Sequence, residues 1–552
     1  MQTSKGQGAN VQRRVIVDRA TIQDAMRRAI AGDVISLSPG DYPDRLVISG
    51  KSGSPSEPII IYGPGAAIGP KTSFEDYRVE GNRLSKRMED EGKFPGLYYL
   101  ADDAALIVRD CQWIILEDLR FDGCWPTAVY FDNCQNVIVR GVHFRGGTFA
   151  IGATGGNTRH MLVEGCSWIQ DTSGKGEIDL ASIVKNGHPD PNPPPSQTEL
   201  WSKTLWTQIH GAAKDSFPVK DTDARAFDGD FFRAWTIAGY VVIRKNIVID
   251  AFNAVHMFNE AAADRVQAYC KNLLIEDNWF VRIRDNAVEP ENHAFNWTVR
   301  HNKFVDCYMP FSFEMASSGH FYVYGNLGWN ANTPGPKNAD HATGQLFKFP
   351  DTREVYGPHY VFNNTWLTRM AVAKKKRFAG FYHFNNAIAL REPNGEPAVD
   401  PPNVFGSNWA SPDKPILSPE ELIASEEKRF TKRWHALKIE FDGDCIEHPN
   451  FPAAYRGASY PLRANSRGGQ LKLAGHIIGV PDQLHLDQPP QAIVRDIVLA
   501  NGRSISSGDG STYVGAWQTY GLFTVGTCAF EDLWPGEAFS FLSGERSSKV
   551  GV

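Results

Sequence analysis

The sequence predicts an all-β chain: a right-handed parallel β-helix solenoid with an N-terminal capping helix and a C-terminal cap region. Three observations predict it. First, one short phrase recurs between residues 240 and 386 as VVIRKNIV, LLIEDNWF, WTVRHNKF, FYVYGNLG, HYVFNNTW and FYHFNNAI, with an asparagine at the same place in each. These are Asn246, Asn278, Asn302, Asn326, Asn364 and Asn386, and most of the steps between them are of similar length. Second, the phrase occurs earlier without asparagine, as IILEDLRF, VIVRGVHF and MLVEGCSW, with Leu119, Val142 and Cys166 in that slot at nearly equal steps. Third, two residues past the slot stand Phe121, Phe144, Trp168, Phe280, Phe304 and Trp366, with Val248 and Ile388 as aliphatic substitutes. A unit of ~23 residues with one β-rich phrase cannot bury its apolar face alone, so neighbouring units must stack. Equivalent residues then lie ~4.8 Å apart, the normal strand separation. The asparagines become an inward ladder whose amides bond one another and the turn backbone, where carbonyls would otherwise be orphaned.

Composition sets the limits. A content of 42% hydrophobic and 12% aromatic residues in 552 supports a large core, and a solenoid reaches this length without splitting. A net charge of −6 argues against a nucleic-acid binder or a membrane-surface protein. Eight cysteines, with Cys111 and Cys134 obeying the same period, read as small buried hydrophobes and not as a disulfide framework. No CxxC is present, which argues against a zinc site, and no apolar run is long enough to cross a membrane. The N-terminal segment lacks the apolar stretch of a signal peptide. A periplasmic or secreted location is expected if a leader has been removed, and a cytoplasmic one otherwise.

In chain order, residues 15–39 read as an entry cap: the strand-like VIV, then Thr21 as N-cap to a helix with Ile22, Met26 and Ile30 on one face, closed by Gly32. The period fails at about 68–104, at 171–239 and at 330–358, and these stretches are expected to be insertions that build walls along one face. The second contains HPDPNPPPS, too proline-rich for helix or sheet. Lys374, Lys375, Lys376 and Arg377 form a charge run that is normally just solvated. Residues 1–390 are expected to form the β-helix, and 391–552 a C-terminal cap or accessory region.

The chemistry candidates lie on the strand expected next after a ladder slot, in AVHMFNE, AVEPENH and PFSFEMA. With Val255, Val288 and Phe311 inward, alternation stacks His256 over Glu289 over Ser312, and Phe258 over Glu291 over Glu314. Three carboxylates and a histidine thus share one patch. Stacked carboxylates push one pKa upward, which prepares a general acid. The plainer reading is a solvated acidic face balanced by Arg282, Arg284 or Lys348. Catalytic candidates are Glu289, Glu291, Glu314 and His256; substrate-binding candidates are Ser312, Phe258, Lys348 and Tyr308. His293 and His210 are weaker, and Trp125, Trp297 and Trp329 have core or corner roles as the main alternative to sugar stacking. Glu289 and Glu291 on one strand face are expected ~7 Å apart.

The AGD-hydrophobic-SPGDY opening resembles the start of carbohydrate-active β-helix proteins of the pectate-lyase-like superfamily. DNAVEPENHAFNWTVRHNKF resembles bacterial right-handed β-helix proteins with a D-x-A-x-E-P-D-like signature. The E-x-E of Glu289 and Glu291 is also distantly similar to the alginate and chondroitin B lyase family, where such a strand binds Ca²⁺ and a lysine and an arginine in following turns do the chemistry. That resemblance implies calcium at Glu289 and Glu291 as an alternative to no cofactor at all. This chain departs from the pattern: NHAFN follows with no lysine, and Glu314 stands where the arginine is expected.

The expectation is therefore an enzyme that degrades a poly- or oligosaccharide in a groove along the solenoid, by preference a glycoside hydrolase. A polysaccharide lyase acting on a uronate-containing glycan and a non-catalytic glycan-binding solenoid are the alternatives. Such solenoids occur as monomers and as trimers.

Overall fold

The computed structural model describes residues 13–70, 72–90, 103–174, 184–185, 188–189, 198–210, 224–262, 264–329, 346–348, 355–368, 378–384 and 386–390, and short strands beyond at 439–442, 445–447, 467–468, 471–474, 483–486, 497–498 and 504–505, with Asp444. Each coil lays down three strands, as in Asn253–Phe258, Lys271–Glu276 and Trp279–Ile283, before the next coil begins at Asn286. Coils pair in parallel, so that Val255 meets Val288, Leu273 meets Trp297, and Phe280 meets Phe304. The third strands form a 13-stranded sheet; the first and second stacks join into one of 21 strands, because Asn286–Arg300 runs from one into the other. The chain is a parallel β-helix.

The asparagine ladder forms as the spacing predicts. Asn302 is typical: its Nδ2 donates to the Ile275 and Arg300 carbonyls at 2.9 Å and to Asn326 Oδ1 at 3.1 Å. Its Oδ1 accepts from the Asn278 backbone N at 3.0 Å and from Asn278 Nδ2 at 2.9 Å. Before the slots up to Asn364, the preceding residue turns the corner with a left-handed φ, from Asp118 (51°), Gly141, Gly165, Lys245, Asp277 and His301 to Gly325 (65°) and Asn363. That conformation turns the strand within one residue, and the amide satisfies the backbone groups the turn exposes. The ladder does not stop at Asn386. Its backbone N and Nδ2 donate to Asp444 Oδ1, whose second oxygen lies 2.8 Å from His383 Nδ1. Strands Ile439–Asp442 and Cys445–Glu447 continue the second and third stacks, so the coil runs past the boundary expected at 390.

Two residues before the slot, a second ladder alternates in sign: Glu117, Arg140, Glu164, Arg244, Glu276 and Arg300, ending on Tyr324. Arg244 Nε donates to Glu164 at 2.8 Å, Arg300 Nε to Glu276 at 2.8 Å, and Arg300 Nη1 to the Tyr324 hydroxyl at 3.0 Å. A coil paired out of sequence would oppose like charges, so this column specifies coil order. Inside, Phe121 stacks on Phe144 at 5.4 Å and Phe280 on Phe304 at 5.2 Å. Trp366 reaches 5.9 Å from Phe304 because Gly328 lies between them; a Cβ there would sit 2.2 Å from the indole.

The entry helix is Ile22–Arg28, but Thr21 does not cap it. Asp18 Oδ1 accepts from the Ala20 and Thr21 backbone N–H groups, and the Thr21 hydroxyl donates back to Asp18 at 2.7 Å, which removes it from the helix. The first insertion contains a helix, Phe74–Asp90, whose Tyr77 ring packs edge-on to Phe227 at 5.1 Å, so the first two insertions meet there. The second is shorter than its expected span of 171–239: Asp230–Trp235 inside it is a regular first-stack strand. Similarly Phe347–Lys348, within the expected third insertion, pairs with Phe311–Ser312. Both were hidden because no ladder asparagine precedes either strand at the usual interval. All six cysteines whose side chains are described are free and buried. No helix among the described residues is long and apolar enough to cross a membrane.

Candidate active site

The first-stack strands set out one outward column of Arg233, His256 and Glu289 and another of Trp235, Phe258, Glu291 and Glu314. Val255, Val288 and Phe311 alternate inward and are fully buried. The strand order thus brings His256, Glu289 and Glu291 together, as alternation predicts. Glu314 pairs with Glu291 by backbone register; its side chain, like those of His210 and Trp329, lies outside the described residues.

His256 is the centre. Its Nδ1 lies 2.9 Å from Arg233 Nη1, 3.3 Å from Glu289 Oε2 and 3.4 Å from Asp230 Oδ1; its Nε2 lies 3.9 Å from Glu291 Oε2. Asp230 also pairs with Arg233 Nη1. Phe258 stacks on the imidazole at 4.3 Å and carries the Arg233 guanidinium 4.6 Å above its own ring. One ligand atom each from His256, Glu289 and Glu291 falls within 4.8 Å of the other two, on strand positions expected ~7 Å apart for the two glutamates.

Burial grades the acids. The Glu289 side chain is 7% exposed and that of Glu291 22%. Burial, opposed by His256 and Lys348 and reinforced by Asp285 and Glu291, pushes the Glu289 carboxyl up to about 7. Burial works against a charge on His256, yet Glu289 and Asp230 outweigh it and the Arg233 charge together, and the ring is raised above the ordinary histidine range. Asp230 is held below the usual carboxylate range, since Arg233 and His256 overcome its burial. The acids thus favour a charged ring, while burial keeps the proton on Glu289.

The raised Glu289 carries a stability cost with a defined sign. Between the ordinary glutamate value near ~4.3 and about 7, the folded protein binds a proton that the unfolded chain releases, so stability falls as pH rises through this window. Glu289→Gln removes the cost. Urea unfolding should show the variant gaining about 2 to 3 kcal/mol relative to wild type on going from pH 4.5 to pH 8. An unchanged difference across that range would mean that Glu289 ionises normally.

The other candidates are placed as follows. Ser312 is fully buried, and its Oγ has no hydrogen-bond partner; Lys348 beside it is half-buried. Tyr308 is 4% exposed at the corner before this strand, too buried to offer a sugar-stacking face, and Trp297 is a core residue. His293 follows a register shift after Asn292, whose left-handed φ of 66° ends the site strand just past Glu291. Bulges of this kind re-aim side chains next to sites. Arg282 pairs with Asp250 and is not available to balance the acids. From the second insertion, Trp206 Nε1 donates to Asp285 at 3.0 Å and the Thr204 carbonyl accepts from Arg284, which walls the corner leading into the site.

Sequence reasoning missed Asp230 and Arg233. The signal was present: Arg233 stands 23 residues before His256, one coil earlier. Among the described residues the cluster offers one imidazole and two carboxylates, and the Arg233 guanidinium already occupies His256 Nδ1.

No protein-family profile matches the chain, and no curated protein matches it. Solved structures of similar shape exist. A mannuronic acid specific polysaccharide family 6 lyase from human gut microbiota is 10% identical, covering 79% of this chain and 74% of that one, with a TM-score of 0.37. A family 6 alginate lyase is 10% identical, covering 86% of this chain and 55% of that one, with a TM-score of 0.43. A family 28 exopolygalacturonase from Yersinia enterocolitica is 9% identical, covering 70% and 79%, with a TM-score of 0.34. At this identity they say nothing of the substrate of the present chain.

Proposed function

We propose that this protein degrades a poly- or oligosaccharide as a glycoside hydrolase, with Glu289 as general acid and Glu291 as nucleophile. The observation that carries the reading is the pairing of a buried glutamic acid, protonated up to about pH 7, with a more exposed glutamate one of whose oxygens comes within 4.8 Å. Two carboxyl groups about 5 to 5.5 Å apart are the arrangement of retaining hydrolysis. In that chemistry the Glu291 oxygen bonds to the anomeric carbon as the glycosidic C–O bond breaks, and the Glu289 proton passes to the leaving oxygen. Water then attacks the glycosyl ester, returning its proton to Glu289 and releasing Glu291. Inversion would instead need room for a water between the carboxyls.

A panel of neutral and uronate-containing polysaccharides, followed for reducing ends and for near-ultraviolet absorbance, tests the reading. Hydrolysis gives reducing ends without absorbance. Absorbance from an unsaturated uronate would make the chain a lyase and reassign the glutamates; binding with neither signal would make it a glycan-binding solenoid.

A further inference from the structure

We infer that the buried Asp230–Arg233 pair is a positioning device that fixes His256 as its Nε2–H tautomer, committing Nδ1 to Arg233 and presenting Nε2–H to a substrate oxygen beside Glu291. The substrate in that statement rests on the proposed function; the tautomer does not. Arg233 has only donors, so its Nη1 at 2.9 Å from Nδ1 requires the ring nitrogen to accept. An imidazolium would point Nδ1–H at the guanidinium, so the pull of Glu289 and Asp230 towards a charged ring can act only when the ring leaves Arg233. The guanidinium is in turn held from several sides: Asp230 binds the same nitrogen, and the rings of Phe258, Trp235 and Phe149 lie 4.6, 5.5 and 5.5 Å from its carbon. Asp230 and Arg233 are 0% and 5% exposed, so neither is exchanging with water.

Two atoms fit this arrangement. Asp230 Oδ1 lies 3.4 Å from Nδ1, longer than the 2.9 Å of Arg233 Nη1, so the guanidinium is the nearer partner of that nitrogen. His256 Nε2 is buried without a partner, and Glu291 at 3.9 Å is beyond hydrogen-bond reach. A buried N–H left unmatched is costly, and a ligand oxygen at the Glu291 side would satisfy it. The charged groups facing the ring are Asp230 and Arg233 from the preceding strand and Glu289 and Glu291 from the following one; its own strand contributes Phe258. With Nδ1 occupied by Arg233, the ring does not take the proton of Glu289, where an acid is needed. His256 then touches substrate as a donor, and Arg233 acts through it.

The test is the nitrogen NMR spectrum of the ¹⁵N-histidine-labelled full chain at about pH 8, above the ordinary histidine range. Wild type should show His256 with one protonated nitrogen, Nε2, and one unprotonated nitrogen, Nδ1. In Arg233→Leu the ring should become an imidazolium turned to Glu289, with both nitrogens protonated. Arg233→Lys, which still offers a donor to Nδ1, should keep the wild-type pattern. The wild-type spectrum decides even if Arg233→Leu does not fold: an imidazolium or an Nδ1–H tautomer there overturns the inference. A wild-type pattern retained in a folded Arg233→Leu would also overturn it, since Arg233 would then be merely structural. None of these readouts involves turnover, so they stand apart from the outcome of the polysaccharide panel.

Discussion

Glu291→Gln is expected to lower turnover by about a thousandfold or more on every substrate the protein accepts, with its unfolding midpoint unchanged. Glutamine keeps the shape of the side chain but cannot form the glycosyl ester, and losses of about 10²–10⁴ follow from removing a single acid, base or nucleophile. Position supports a purely chemical effect, because Glu291 is the more exposed member of the cluster and its strand's core contacts are made by Val288. Glu289→Gln should behave differently. It removes the proton donor, so turnover should collapse on natural glycosides and survive on an aryl glycoside whose leaving group needs no protonation. This split separates the two roles. Equal losses on both substrates would place both glutamates in binding, and no loss in either variant would remove the patch from the chemistry altogether.

Asn302→Leu is expected to cost several kcal/mol, read as a large drop in the urea midpoint. Five hydrogen bonds end on this side chain, and its loss takes the partner of the Asn278 backbone N–H and of the Ile275 carbonyl and weakens three more groups, the Arg300 carbonyl, Asn326 Oδ1 and Asn278 Nδ2, which keep the Asp277 N–H, the Asn302 N–H and the Ile243 carbonyl. All lie at a fully buried corner, where each unmatched polar group costs about 1 to 3 kcal/mol, partly offset by burying a leucine. Leu119 and Val142 fill the same slot in earlier coils, so an apolar residue fits the space. A cost below about 1.5 kcal/mol, the range of a volume-conserving core exchange, would show that the ladder amides contribute little to stability.

The register of the site was legible in the chain because strand pairing converts sequence spacing into position. One coil's step along the chain put Glu314 beside Glu291, and alternation put His256 and Glu289 on the outward side. The same rule, applied without an asparagine to anchor it, lost Asp230–Trp235 and Phe347–Lys348 inside expected insertions, and with them Arg233. Thr21 is a case of local competition: a capping signal was present, but Asp18 three residues earlier took its hydroxyl.

The sequence by itself therefore determined the coil, the ladders and which residues share a column, since these depend only on periodicity and on the separation of paired strands. The tertiary structure alone decided the chemistry of the patch. Whether Glu289 holds a proton depends on how far burial removes it from water, and which nitrogen of His256 is committed depends on a guanidinium from the coil before, itself held by three aromatic rings. Desolvation and hydrogen-bond direction are set by everything packed around a group, and no spacing along one strand encodes them.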